Sequence, residues 1–192
     1  MSNACNSAKA ATRMSAKEKE FERVVMIYQR RLYNVALRLA QDPEEASELV
    51  QDTFLRAYRA WDKFRKESQT YTWLYRILIN LNKDRLAKVS KRRDLETSLE
   101  ETEEKSAFDV PADPRERPDF AAETSELRQL LIEAIDSLPA GYKECVVLKD
   151  MEGLSYEEIA ETMEITVEAV RSRLARARQQ LRSRLSPYLK IQ

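Results

Sequence analysis

Histidine is absent from this 192-residue chain, glycine and cysteine each occur twice, and proline six times. Without histidine and with only two thiols, the sequence cannot build a Cys/His zinc site, a histidine-based triad or a disulfide scaffold. Scarce glycine removes the residue that tight hairpin turns favour, which argues against an antiparallel β-protein. No run approaches the roughly 18 apolar residues needed to cross a bilayer, and the opening residues lack the apolar stretch of a secretory leader. These absences predict a cytoplasmic, all-α protein. Cys145 lies in the apolar run Cys145-Val146-Val147-Leu148 and is expected to be a buried thiol, whereas Cys5 sits in a polar tail.

The charge balance conceals a partition. Lys and Arg number 33, as do Asp and Glu, giving a net charge of zero. Yet residues 10–93 carry 19 basic and 11 acidic side chains, whereas 94–126 carry 3 and 12. Residues 127–170 carry 3 basic and 10 acidic groups, and 171–192 carry 7 basic and none acidic. Two basic regions flanking acidic ones suggest polyanion binding at two places.

Hydrophobic periodicity divides the chain into a tail (1–14), a helical block (15–93), an acidic linker (94–125) and a second helical block (126–192). Ser15 and Glu18 form a capping-box pattern ahead of the stripe Phe21, Val24, Val25, Tyr28, Leu32, Val35, Ala36 and Leu39. Asp42-Pro43-Glu44-Glu45 opens a second helix with Glu45 closing its box; Ala46, Leu49, Val50, Phe54, Ala57 and Trp61 form its apolar side. Residues 63–70 read as a loop, and a third helix is expected from Tyr71 to Ser90 with Leu74, Ile77, Leu78 and Leu81 inward. Pro111, Pro114 and Pro118 cluster in the linker, whose low hydrophobicity and excess acid predict disorder.

In the second block, Leu127, Leu130, Leu131, Ala134, Ile135 and Leu138 make one stripe, and Pro139-Ala140-Gly141 breaks it. A helix from Tyr142 to Met151 follows, with Gly153 at its C-terminal turn. Ser155 and Glu158 cap a short helix, Glu164-Ile165 turns, and Thr166 caps a longer helix that buries Val167, Val170, Leu174, Leu181 and Leu185. A short helix, a tight turn and a basic helix make a helix-turn-helix pattern. The outer side of that last helix carries Glu168, Arg171, Ser172, Ala175, Arg176, Arg178, Gln179 and Arg182. Early positions of such a helix reach base edges and later ones meet phosphates. Arg171, Ser172 and Arg176 therefore take base-edge roles, and Arg178, Arg182 and Arg184 phosphate roles; Glu168 serves a cytosine amine or the helix N-terminus.

The first block interleaves aromatics with cations: Phe64, Arg65, Lys66, Tyr71, Trp73, Tyr75, Arg76, Lys83 and Arg85. Bases stack on aromatic faces while cations follow the backbone, a combination suited to single strands. Asn80 and Asn82 add amides for an exposed base edge. Trp73 is expected in the core, and Tyr71 and Tyr75 at the surface. No phosphate-cradling glycine loop and no acid–base–nucleophile set is present, so no enzyme is read here.

The string Glu45-Ala46-Ser47-Glu48-Leu49-Val50-Gln51-Asp52-Thr53-Phe54-Leu55-Arg56-Ala57-Tyr58 resembles region 2 of bacterial extracytoplasmic-function (ECF) sigma factors, a branch of the sigma-70 family. So do Phe64-Arg65-Lys66-Glu67-Ser68, Thr72-Trp73-Leu74-Tyr75-Arg76-Ile77 and Asn80. Leu138-Pro139, Leu154-Ser155-Tyr156-Glu157-Glu158-Ile159-Ala160 and Val170-Arg171-Ser172-Arg173-Leu174-Ala175-Arg176-Ala177-Arg178 are similar to region 4. The resemblance implies a subunit that binds core RNA polymerase at its clamp coiled coil and flap and directs it to promoters. It places polymerase contacts at Leu49, Gln51, Asp52, Leu55, Arg56 and Arg59. It places minus-ten recognition and melting at Lys66, Ser68, Tyr71, Tyr75, Arg76, Asn80 and Lys83. It places minus-thirty-five recognition at Thr166, Glu168, Arg171, Ser172, Ala175, Arg176, Arg178 and Arg182. It also implies an anti-sigma partner and no cofactor. The chain departs from the family's frequent aromatic at Thr70 and its frequent Gly or Asp at Glu164. A stand-alone helix-turn-helix regulator, whose first block senses a ligand or dimerises, is the alternative; it has no need of the cationic, aromatic loop.

Overall fold

A computed structural model of the chain describes residues 15–64, 69–96 and 118–188, with backbone alone for 92–96 and 118–126. The tail 1–14, the loop residues 65–68, with Lys66 and Ser68, and most of the expected linker lie outside the described residues. All described regular structure is helical.

Helix α1 (Ala16–Ala40) starts at the anticipated box: the Ser15 hydroxyl accepts from the Glu18 N–H and the Glu18 carboxylate accepts from the Ser15 N–H. It ends at Gln41, whose left-handed backbone (φ 62°) lets its N–H reach the Leu37 carbonyl. Helix α2 (Pro43–Ala60) has Asp42 as N-cap and Pro43 in its first turn. Glu45 does not complete a box; its carboxylate instead pairs with Arg85 of the next helix. A single 3₁₀ turn, Trp61–Lys63, follows. Helix α3 runs from Thr70 to Glu96, beyond the expected end at Ser90, because nothing between Val89 and Glu96 breaks a helix.

The core of this block is aliphatic at one end and aromatic at the other. Leu32, Val35, Ala36, Leu39, Ala46, Ala57, Leu74, Leu78 and Ile79 are buried. Trp61 and Trp73 both stack on Phe64, with ring centroids 5.5 and 4.4 Å apart, and Phe21 meets Trp61 edge-on at 5.3 Å. Phe64, read above with the nucleic-acid aromatics, is thus a packing residue between two tryptophans. Such contacts add about 0.5–1.5 kcal/mol each beyond area burial.

Helix α4 (Pro118–Asp136) begins inside the expected linker, so residues 118–125 are helical. Pro139 caps α5 (Ala140–Val146), so Ala140 and Gly141 open that helix rather than break the chain. At Gly141 a Cβ would stand 3.0 Å from the Arg173 guanidinium, a tight contact that a small shift of that flexible side chain would relieve. A π-helical turn, Val147–Met151, replaces the last turn of the expected helix, and Gly153 (φ 74°) closes it. The short helix α6 (Tyr156–Met163) has the anticipated Ser155–Glu158 box, and α7 (Val167–Leu185) is capped by the Thr166 hydroxyl accepting from the Ala169 N–H.

The second core gathers Leu138, Cys145, Val146, Val147, Leu148, Leu154, Ile159, Met163, Val170, Leu174 and Ala177. Cys145 is fully buried, its sulfur 3.5 Å from that of Met163, and burial pushes the thiol up to about 11. Leu127 and Leu131 of the expected α4 stripe are 45% and 42% exposed, and Leu185 is only half-buried, so these lie at the margin. The two blocks meet where α3 lies against α6, and their buried residues form one continuous apolar cluster.

Candidate nucleic-acid interface

Helix α7 is anchored on one side only. Val170, Leu174 and Ala177 are buried with 0–1% exposure, fixing its rotation in the block. Glu168, Arg171, Ser172, Ala175, Arg176, Arg178 and Arg182 consequently all face solvent. The turn ahead of α7 is made at Glu164, which adopts the left-handed conformation (φ 58°) that glycine would take more easily. The chain therefore makes the tight turn despite its departure from Gly or Asp there. Three arginines are already oriented: Arg171 lies over the Tyr156 ring (6.0 Å), Arg176 reaches the Tyr142 hydroxyl (3.5 Å), and Arg178 pairs with Asp150 (2.9 Å). The Arg178–Asp150 contact raises the guanidinium's pKa, chiefly through its hydrogen bond. Both members are about half exposed, so this pair is worth no more than about 0.2–1 kcal/mol and readily gives way to phosphate. Thr166 serves α7 itself, its hydroxyl being held by the cap.

The α3 face is arranged differently. Asn80 is half-buried and Lys83 exposed. Tyr75, expected at the surface, is only 1% exposed; burial and then its hydrogen bond to Glu152 raise its pKa far above the ordinary phenol value. Asn82 is also buried, its carbonyl accepting from Arg85 at 3.3 Å, so it offers no amide to a base. Both corrections have one cause. Part of α3's outer side is covered by the second block, which periodicity within α3 cannot report.

The covering contacts are polar and specific. Tyr75 donates to Glu152, which also accepts from Arg31 Nε at 3.1 Å. Tyr71 donates to Glu158, an interaction that holds the carboxylate below its ordinary range. Arg76 spans the end of α6, with Nη2 2.9 Å from Glu161 Oε1 and Nε 3.1 Å from the Glu161 carbonyl. Lys83 Nζ lies 3.4 Å from the Met163 carbonyl.

Comparison with known proteins decides the family. The sigma-70 region 2 model matches residues 24–92 and the sigma-70 region 4 model residues 128–181. The chain belongs to the sigma-70 family. It is 36% identical over 174 residues to the ECF RNA polymerase sigma-E factor of Haemophilus influenzae, and 35% identical over 173 residues to the RNA polymerase sigma-H factor of Pseudomonas aeruginosa. In both cases 90% of each chain is covered. Among solved structures it is similar to the sigma factor RpoE from Bartonella quintana in complex with the anti-sigma factor NepR (26% identity, TM-score 0.72). That match covers 88% of this chain and 98% of the other. It is also similar to CnrH in complex with the cytosolic domain of CnrY (25% identity, TM-score 0.60, covering 88% and 89%).

In this sigma factor the exposed side of α2 presents Gln51, Asp52, Leu55, Arg56 and Arg59 together, with Leu55 53% exposed. Leu49, grouped with them on resemblance, is 5% exposed and belongs to the core, as its place in the apolar stripe of α2 requires. Sequence reading missed Glu152, Glu158 and Glu161 as partners of α3. The acidic excess of 127–170 facing a basic first block was the available signal. No group of side chains among the described residues could hold a metal ion, and no described helix is long and apolar enough to cross a membrane.

Proposed function

We propose that this sigma factor joins core RNA polymerase and directs it to promoters through three separate faces. The outer side of α2, with Gln51, Asp52, Leu55, Arg56 and Arg59, takes the polymerase clamp; an exposed leucine ringed by charges is the composition of a protein contact. Region 4 also meets the flap. Helix α7 lies in the major groove of the minus-thirty-five element, with Arg171, Ser172 and Arg176 on base edges and Arg178 and Arg182 on phosphates. Tyr71, Arg76, Asn80 and Lys83, with Lys66 and Ser68 of the preceding loop, capture an unpaired minus-ten base. Unstacking a base costs a few kcal/mol and each stacking contact returns about 1–3, so a small pocket tips the balance. An anti-sigma protein is a further partner, as for the two solved neighbours.

The observation that carries the reading is the rotation of α7. Three buried side chains turn an arginine strip outward behind a capped turn; the helix itself carries no acid beyond Glu168, and the pair that Arg178 makes with Asp150 is exposed. The test is reconstitution. The chain mixed with core polymerase initiates at defined start sites on promoter DNA, and neither component does so alone. Tight operator-like binding by the chain with no effect on polymerase would instead identify a stand-alone regulator.

A further inference from the structure

We infer that Tyr142 and Tyr156 are positioning residues for promoter reading: from outside α7 they hold Arg176 and Arg171 in the directions in which those arginines meet base edges. This deepens the reading of α7 as the helix in the major groove and rests on it.

The partners of the three oriented arginines divide by chemistry. Arg171 and Arg176, given base-edge roles, meet neutral tyrosines: the Arg171 guanidinium lies 6.0 Å from the Tyr156 ring centre, and Arg176 Nη1 lies 3.5 Å from the Tyr142 hydroxyl. Arg178, given a phosphate role, meets the Asp150 carboxylate at 2.9 Å. A carboxylate repels DNA and competes for the donors that a phosphate needs, so that contact is exchanged on binding. A tyrosine carries no charge to repel the duplex and can stay in place. The Tyr156 ring attracts the guanidinium through its π-face and takes none of its N–H groups, while the Tyr142 hydroxyl takes one of five. Both arginines keep donors for a bidentate bond to a guanine edge. A free arginine side chain loses much rotamer freedom when it docks, and one already aimed loses less. The supports themselves are fixed. Tyr156 is the first residue of α6, in the turn that the Ser155–Glu158 box closes, and its ring packs against the core. That ring also lies 5.1 Å from Lys149 Nζ, which is tethered to the Leu154 carbonyl at 2.9 Å. Tyr142 stands in the first turn of α5, its N–H bonded to the Pro139 carbonyl at 2.8 Å and its ring against the core. Side chains locked in this way can aim a neighbour.

The experiment uses holoenzyme made from the full chain and core polymerase, bound to a promoter duplex from which it initiates and whose upstream element is randomised. Sequencing the bound fraction gives, at each position, the ratio of favoured to disfavoured base. Arg171→Ala and Arg176→Ala first identify the position that each arginine reads. Tyr156→Leu, which removes the ring, should lower the ratio about threefold at the Arg171 position alone, and Tyr156→Phe, which keeps the ring, should restore it. Tyr142→Phe, which keeps the packing and removes only the hydroxyl, should lower the ratio about twofold at the Arg176 position. Neither tyrosine change should add to the loss once its own arginine is alanine, because the effect travels through that side chain. Unchanged ratios in both Tyr156→Leu and Tyr142→Phe overturn the assignment. So does an equal loss of affinity for every sequence with the ratios intact, which is what a phosphate contact or a purely structural role produces. If Arg171→Ala and Arg176→Ala themselves leave every ratio intact, the reading of α7 falls, and the positioning roles fall with it.

Discussion

Glu144 offers a quantitative check on how the two blocks are packed. Its side chain is 2% exposed and its Oε1 has no hydrogen-bond partner among the described residues. Burial raises its pKa, opposed only in part by Lys83, Asn82 and Arg173. Glu144→Gln keeps the shape and removes the charge that burial disfavours. Glutamine leaves a polar atom at the orphan Oε1 position, so what the variant removes is the penalty on a buried charge, less the attraction of the nearby cations, and it should gain about 1–2 kcal/mol at neutral pH. In a chain of this size that raises Tm by roughly 2–8 °C. The pH dependence has a definite sign. Below the ordinary carboxylate range both folded and unfolded states hold the proton, and wild type and variant are about equally stable. As pH climbs from that range the unfolded state ionises first, so the gap opens there and levels off above the elevated folded value, where wild type must bury the charge or give up the contact. Urea melts followed by circular dichroism from about pH 4 to about pH 8 measure it. A gap that stays constant with pH, or a wild type more stable at neutral pH, would refute the reasoning.

Arg171→Ala and Arg176→Ala should each weaken recognition of the upstream promoter element by roughly 1–3 kcal/mol, read as holoenzyme affinity for matched and mismatched sites; unchanged selectivity in both would remove their base-edge roles. Asp52→Arg should reduce capture by core polymerase in a pull-down without altering the circular dichroism spectrum, and normal assembly would count against the α2 face. Leu174→Ala, at a site 1% exposed between α5 and α7, should destabilise by about 2–5 kcal/mol in thermal melts, and a loss below about 1 kcal/mol would contradict its central place in the core. With Cys5 replaced by serine, the remaining thiol should react with Ellman's reagent at neutral pH only on unfolding, since Cys145 is fully buried and titrates near 11; prompt stoichiometric labelling would place it outside the core.

The local grammar of this chain was legible in its sequence because helix starts, stripes and turns are encoded within a few residues. Ser15, Asp42, Ser155 and Thr166 cap the helices that their spacing announced, and Val170 and Leu174 lie on the buried side of α7. A stripe of apolar residues shows that a helix has an inner side, and so which arginines of α7 remain outside. It says nothing of what distant chain covers the polar side. That required the tertiary structure, which buries Tyr75 and Asn82 beneath the second block and draws Glu152, Glu158 and Glu161 onto α3. Those contacts join residues about eighty positions apart; only folding in three dimensions can set charges so distant in sequence against one another.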